Sequence, residues 1–485
     1  MTNTPLILLL STTLIIVNAE SPIVQTSYGS IKGYQYTDQN GFTSEIFKKL
    51  PFASPPVGER RWKKPERPKA WQGTIDGTSF GPACAQRSVM YAGPETGFSE
   101  DCLNMNVYTS KECRESSAKC PVVYYIYGGN GVFESTMKFP DEELTKNFAS
   151  QGVIIVTAAY RLGMFGIISL GDEEAVPSNL AIHDVIAALK FIQEEIHAFG
   201  GDMNRVTVHG HSAGGTIALI LGFSPGVKDR TSLFQSVISM SGSINLIEEK
   251  DQSRKSFQIA KEIGCEGTAK EVIACMHNKT SDEITMAAFK VGGPNVFAEK
   301  QLAGFAMAGE LLPIKTPREI FTNSQPIRLM IGNTFYEIIG DDESMAMVAM
   351  LGVKNVQECY DKYLHDRKSG KFDTQYGTMA QMLHMSAGLI AKTQADNREQ
   401  VYLYEYDYLE HAVHTDDISF IMGFHTFDKD ENEEWLSNAY PKYFTNFIKG
   451  ERPSPDWYPV KPNLMNYYSV NKSFTEDVQP HNKFG

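Results

Sequence analysis

A chain of 485 residues with 42% apolar and 21% charged side chains fits an ordinary soluble globular protein able to bury a sizeable core. Its formal net charge of −13, with a pI near 5.4, argues against a phosphate-binding surface, because nucleic-acid readers present a basic face. No long block of lysine or arginine contradicts this, so no nucleic-acid partner is expected.

In chain order, residues 1–19 come first. MTNTPLILLLSTTLIIVNA has no charged side chain, and its apolar stretch from Pro5 to Val17 runs into Val17-Asn18-Ala19, a small-x-small cleavage pattern. The stretch is too short to span a bilayer comfortably. A cleaved signal peptide over 1–19 is predicted, leaving 20–485 as a single α/β domain. No later apolar run reaches eighteen residues, and the tail from Val470 to Gly485 is polar, with no lipid-anchor or KDEL-type signal. The expectation is a secreted, extracellular protein without a membrane anchor. Seven cysteines suit that oxidising setting. Cys84 and Cys102 bracket seventeen residues, Cys113 and Cys120 six, and Cys265 and Cys275 nine; local pairing leaves Cys359 as a free thiol. Asn278-Lys-Thr and Asn471-Lys-Ser are acceptor sequons for N-glycosylation.

The first hundred residues mix alternating strands with turn residues, which predicts a small antiparallel edge. Short β-branched and aromatic runs then recur at Val122–Tyr127, Val153–Ala158, Arg205–His209, Ser236–Met240, Arg328–Gly332 and Val401–Tyr406. Helical patterns such as Asp184–His197 and Thr216–Gly222 separate most of them. This alternation predicts an α/β fold whose central, mostly parallel sheet is covered by helices on both faces. In such sheets function sits at the carboxyl ends of strands.

Two strand ends carry chemistry. Val122–Tyr127 runs into Tyr127-Gly128-Gly129-Asn130-Gly131, a turn whose bare amides can point inward as an oxyanion hole. Arg205–His209 runs into Gly210-His211-Ser212-Ala213-Gly214-Gly215 and then a helical segment. G-x-S-x-G between strand and helix is a nucleophile elbow. The turn is so sharp that side chains at 210 and 214 would collide with neighbouring backbone, and it lifts the Ser212 hydroxyl to the top of the sheet at a helix N-terminus. A metal site on His209 and His211 is the competing reading, but no nearby cysteine or acid completes a ligand set. No metal and no cofactor is expected.

The chain closely resembles the type-B carboxylesterase and cholinesterase-like family of α/β-hydrolases. Leu50–Gly58 is similar to that family's PYA-x-PPVG segment, and Ser99–Tyr108 to its SEDCLxLNVY block. Tyr160–Gly163, Phe199–Asp202 and Ser212–Gly215 match three more motifs in order. The resemblance implies an α/β-hydrolase fold and a small-molecule ester substrate. It also implies the rest of a triad: Glu337, five residues beyond Gly332, as the acid, and His414 in Val413–Ile418 as the base. The chain order Ser, Glu, His agrees. The oxyanion donors become the amides of Gly129, Asn130 and Ala213. The family also implies disulfides Cys84–Cys102 and Cys265–Cys275, whereas Cys113–Cys120 rests on proximity and compartment. Arg61 with Glu100 and Arg161 with Asp184 match structural ion pairs.

Four departures from the family pattern stand out: Asn130 for the third glycine of the oxyanion turn, His211 where many members carry glutamate, Ile338 after the acid, and only 77 residues from Glu337 to His414. The last implies a shortened lid or gorge wall. Asp428–Asn432 begins like a calcium loop but has Glu433 and Ala439 where glycine and glutamate belong, so it reads as a solvated turn. Tyr402, Tyr404, Tyr406 and Tyr408 alternate along a strand and read as packing. The function implied is ester cleavage through an acyl-serine, on neutral rather than choline esters: the loop from Ala85 to Asp101 holds no tryptophan to carry a quaternary ammonium, only Tyr91 and Phe98. The alternative is an esterase-fold adhesion or binding protein without turnover; retention of all three triad residues argues against it.

Overall fold

Ten segments pair into one sheet: β1 (Tyr34–Thr37), β2 (Thr43–Pro51), β3 (Asn104–Ser110), β4 (Cys120–Ile126), β5 (Ile154–Ala158), β6 (Gly201–His211), β7 (Ser236–Met240), β8 (Arg328–Thr334), β9 (Val401–Tyr406) and β10 (Tyr468–Val470). They lie in the order β10-β9-β8-β7-β6-β4-β5-β3-β2-β1. The structure is a computed structural model that describes residues 21–87, 97–244, 246–293, 302–322, 325–338, 355–371, 378–397, 400–425 and 427–471. The predicted signal peptide and Tyr91 lie outside the described residues.

From β10 across to β5 every neighbouring pair is parallel. β3, β2 and β1 then add antiparallel pairs, the N-terminal edge foreseen in the sequence. β5, β7 and β9 are buried along their whole length, as strands covered on both faces must be. The covering helices are α1 (Leu180–Glu195), α2 (Ala213–Phe223), α3 (Thr378–Asp396), α4 (Asp416–Met422) and α5 (Glu431–Ile448). Successive strand residues point to opposite faces. Tyr404 meets Tyr440 and Phe444 of α5, while Glu405 faces His384 of α3, so α5 and α3 lie on opposite sides of the sheet.

Strand positions match the sequence reading, and two of them, Ser236–Met240 and Val401–Tyr406, match it at both ends. α1 begins four residues earlier than its apolar pattern. Asn179 before it, an ordinary capping residue, is left-handed at φ 59° and gives its side chain to Ala306 instead, so no capping signal marks the start. Asp428, Lys429 and Asp430 are exposed and irregular, as the solvated-turn reading has it, and Asp430 is in addition a helix cap. Its carboxylate accepts the amides of Asn432 and Glu433 at 2.8 and 2.9 Å, and the buried Glu433 returns a bond to the Asp430 amide at 3.0 Å. This capping box starts α5.

Disulfides join Cys84 to Cys102, Cys113 to Cys120 and Cys265 to Cys275, and Cys359 is free and half-buried. Arg161 meets Asp184 through two side-chain bonds of 2.7 and 2.8 Å with both residues buried, and Arg61 reaches Glu100 at 2.6 Å. Tyr402, Tyr404, Tyr406 and Tyr408 are buried, in keeping with packing.

Candidate active site

The carboxyl ends of β9, β8, β7, β6 and β4 are neighbours in the sheet. Each feeds one part of the site: His414 follows β9, Glu337 β8, Ser241 β7, Ser212 β6, and the Gly128–Gly131 turn β4. Residues far apart in the chain thus meet along one edge, where strands run out and side chains turn upward.

Ser212 stands between β6 and α2 at φ 56°, ψ −123°, a conformation costly for any side chain. Its neighbours explain the flanking glycines. A Cβ on Gly210 would come within 2.0 Å of the Gly214 carbonyl oxygen, and one on Gly214 within 2.0 Å of the Ile126 carbonyl oxygen. The backbone is pinned by Ser212 N–H to the Met240 carbonyl at 2.9 Å.

The Ser212 hydroxyl lies 2.8 Å from His414 Nε2. His414 Nδ1 meets Glu337 Oε2, and the two segments pair as an isolated bridge, with the His414 amide 3.1 Å from the Glu337 carbonyl. The other Glu337 oxygen accepts from the Ser241 hydroxyl at 2.6 Å and the Thr334 amide at 2.9 Å. Burial alone raises this fully buried carboxyl; the His414 charge and the hydrogen bonds from His414 and Ser241 outweigh it and hold the carboxyl below the usual glutamate range. A carboxylate at Nδ1 keeps the imidazole hydrogen there and leaves the Nε2 lone pair for the serine proton.

Asp417 behaves oppositely. Buried completely on α4, with the Tyr440 hydroxyl 3.2 Å from its Oδ2, it is raised well above the usual aspartate range by burial and then by the Glu337 charge. Two neighbouring acids are thus shifted in opposite directions, Glu337 down and Asp417 up.

On the other side of Ser212 the turn after β4 has three successive left-handed residues, Gly129 at φ 82°, Asn130 at 55° and Gly131 at 73°. Asparagine is among the few side chains that tolerate this region, which explains how Asn130 replaces a glycine. Gly128 has no such latitude: a Cβ there would sit 2.9 Å from the Ser212 Cβ and 3.0 Å from the His211 carbonyl. Ala213 opens α2, so its amide has no acceptor within the helix. The chain beyond the turn is braced by Gln86, whose amide donates to the Glu134 carbonyl at 2.9 Å and accepts from the Glu134 N–H at 2.8 Å.

Sequence reasoning missed Gln86, Ser241 and Thr334. Ser241 had a signal, a polar residue directly beyond a buried strand in a parallel sheet; the other two had none. Among the described residues no cluster of histidine, cysteine and acidic side chains could hold a metal. His209 is buried with Nε2 3.0 Å from Met240 Sδ, and His211 turns toward His414.

Known proteins are similar to this chain in sequence and in fold. The model of the family described as "Carboxylesterase family" matches residues 20–347 and 342–483. The chain belongs to the carboxylesterase family. It is a carboxylic ester hydrolase, as its similarity to curated hydrolases and carboxylesterases across the chain also shows. The medium-chain fatty acyl-CoA hydrolase precursor of Anas platyrhynchos is 30% identical over 90% of this chain and 86% of its own. Pyrethroid hydrolase Ces2a of Mus musculus is 29% identical over 92% and 87%, and juvenile hormone esterase of Tribolium castaneum 35% identical over 65% and 53%. In fold, this carboxylesterase is similar to a crystal structure of juvenile hormone esterase from Manduca sexta with OTFP covalently attached, at a TM-score of 0.78 and 21% identity over 93% of this chain and 95% of that one. The architecture is the α/β-hydrolase fold. No helix among the described residues is long and apolar enough to cross a membrane.

Proposed function

We propose that the protein is a secreted serine esterase that cleaves neutral carboxylic esters through an acyl-Ser212 intermediate. The observation that carries this reading is the unbroken line from Glu337 through His414 Nδ1 and Nε2 to a Ser212 hydroxyl 2.8 Å away on a strained elbow. Ser212 Oγ attacks the ester carbonyl carbon while its proton passes to His414 Nε2. The carbonyl oxygen takes the displaced electron pair and is met by the amides of Gly129, Asn130 and Ala213. The tetrahedral species collapses, the C–O bond to the alcohol breaks, and His414 returns the proton to the departing oxygen. Water, deprotonated by the same His414, then attacks the acyl-serine and releases the acid and the free Ser212 hydroxyl. Glu337 stays charged throughout and steadies the imidazolium.

Neutral esters are favoured because the loop from Ala85 to Asp101 holds no tryptophan to carry a quaternary ammonium, and because position 211, beside the nucleophile, holds a histidine pushed down to about 3 by burial in place of a charged side chain. Three disulfides, the leader-like segment over 1–19 and an exposed Asn278 sequon support secretion with glycans at Asn278 and Asn471. A kinetic cycle tests the triad. If Ser212 and His414 act as one unit, the Ser212→Ala and His414→Ala losses do not add, and the double variant is hardly slower than either single one. Additive losses contradict the arrangement.

A further inference from the structure

One hydrogen bond ties the strand of the nucleophile to the backbone of the base without passing through the triad. His211 Nε2 lies 2.8 Å from the His414 carbonyl oxygen, and the two rings stand 5.0 Å apart. A carbonyl only accepts, so Nε2 carries the hydrogen and Nδ1 keeps its lone pair. That second nitrogen faces the oxyanion turn, 3.5 Å from where a Cβ on Gly128 would be. His211 is 5% exposed and thereby spans from the turn that would bind the oxyanion to the loop that carries the base. Between β9 and α4 the loop holds a three-residue turn of 3₁₀ helix and the bridge from Val413 to Glu337, and the His211 bond adds a tie from the nucleophile's own strand.

We propose that His211 is a positioning residue: its Nε2–H clamps the His414 carbonyl to the nucleophile's own strand and so sets the approach of His414 Nε2 to Ser212 Oγ. The proposal rests on the triad reading above. The ionisable groups acting on His211 are His414 and Glu337, and His209, on the same strand, is itself pushed down to about 3 by burial and by His211. With burial the strongest influence on His211 as well, the clamp remains a neutral, single-hydrogen donor wherever an esterase works. A glutamate here would be the opposite device, with no hydrogen to offer a carbonyl and a negative charge that favours the imidazolium.

The test is kcat and KM for a neutral p-nitrophenyl ester across pH, for wild type, His211→Gln, His211→Leu and His211→Glu. Glutamine keeps an N–H donor of similar reach and should hold kcat within about threefold. Leucine fills the space without a donor and should lower kcat roughly 10–100-fold with little change in KM. Glutamate should lose as much, and its charge should move the acid limb of kcat/KM upward by about half to one pH unit. Wild-type kcat in His211→Leu, or equal loss in Gln and Leu, overturns the clamp. Should His211→Leu not fold, the Gln and Glu pair decides, and equal kcat in those two overturns it. Ser212→Ala separates the two readings. If that variant still turns over, the triad reading fails; if it is dead while His211→Leu is unimpaired, only the clamp fails.

Discussion

Replacing Glu337 with glutamine removes one charge and almost no volume, and the surrounding bonds dictate the consequence. Oε1 accepts from Ser241 Oγ at 2.6 Å and from the Thr334 amide at 2.9 Å. The Thr334 N–H cannot become an acceptor, so the glutamine carbonyl oxygen must take that side. Its NH2 group then faces His414 Nδ1, where the wild-type carboxylate accepted a hydrogen. Two N–H groups cannot point at each other, so the imidazole moves its hydrogen to Nε2, the atom meant to receive the Ser212 proton. The equivalent change in a Ser-His-Asp triad costs about 10⁴ in kcat, and a comparable loss, roughly 5.4 kcal/mol, is expected here. Folding should be little affected because the shape and both outer hydrogen bonds persist, which thermal melting checks. The assay is kcat/KM on a p-nitrophenyl ester at neutral pH. A loss of less than about tenfold in a folded Glu337→Gln protein would refute the claim that this carboxylate sets the tautomer.

Asp417→Asn should stabilise the protein at neutral pH. The folded state raises this acid, so its contribution is full below the ordinary aspartate range and declines as pH rises toward the raised value; the gain in melting temperature, about 2–4 °C per kcal/mol, should vanish near pH 3.5. An equal gain at both pH values contradicts the upward shift of Asp417. Gly128→Ala puts a methyl 2.9 Å from the Ser212 Cβ and should cost about 10²-fold in kcat, with esterase kinetics as the check. Wild-type turnover would mean the turn can yield. Butyrylcholine should have less than about a tenfold kcat/KM advantage over its uncharged dimethylbutyl isostere, because the loop from Ala85 to Asp101 holds no tryptophan and Phe98, its one described aromatic, is 42% exposed.

The parts of the fold legible in the sequence reflect local physics. The elbow glycines were readable because a crowded turn excludes Cβ atoms, and the buried parallel strands because both faces need apolar side chains. β6 starts at Gly201, ahead of its apolar run, because Gly201 pairs with Cys120 through backbone alone before the register shifts at Val206. α2 starts at Ala213 although its first residues are too small to show a helical period. Ser241 and Thr334 support Glu337 through contacts 96 and 3 residues away, and only the sheet order brings the first of these into reach. His211 read from sequence as the loss of a negative charge; that it gains a hydrogen bond to His414 is a fact of three dimensions.

The account stands on Ser212 being the nucleophile, and intact-protein mass spectrometry after a fluorophosphonate reaches that claim without knowledge of the natural ester. One adduct per chain, mapped by peptide digestion to Ser212 and absent from Ser212→Ala and His414→Ala, is the predicted result. An adduct on another residue, or equal labelling of Ser212→Ala, would contradict it.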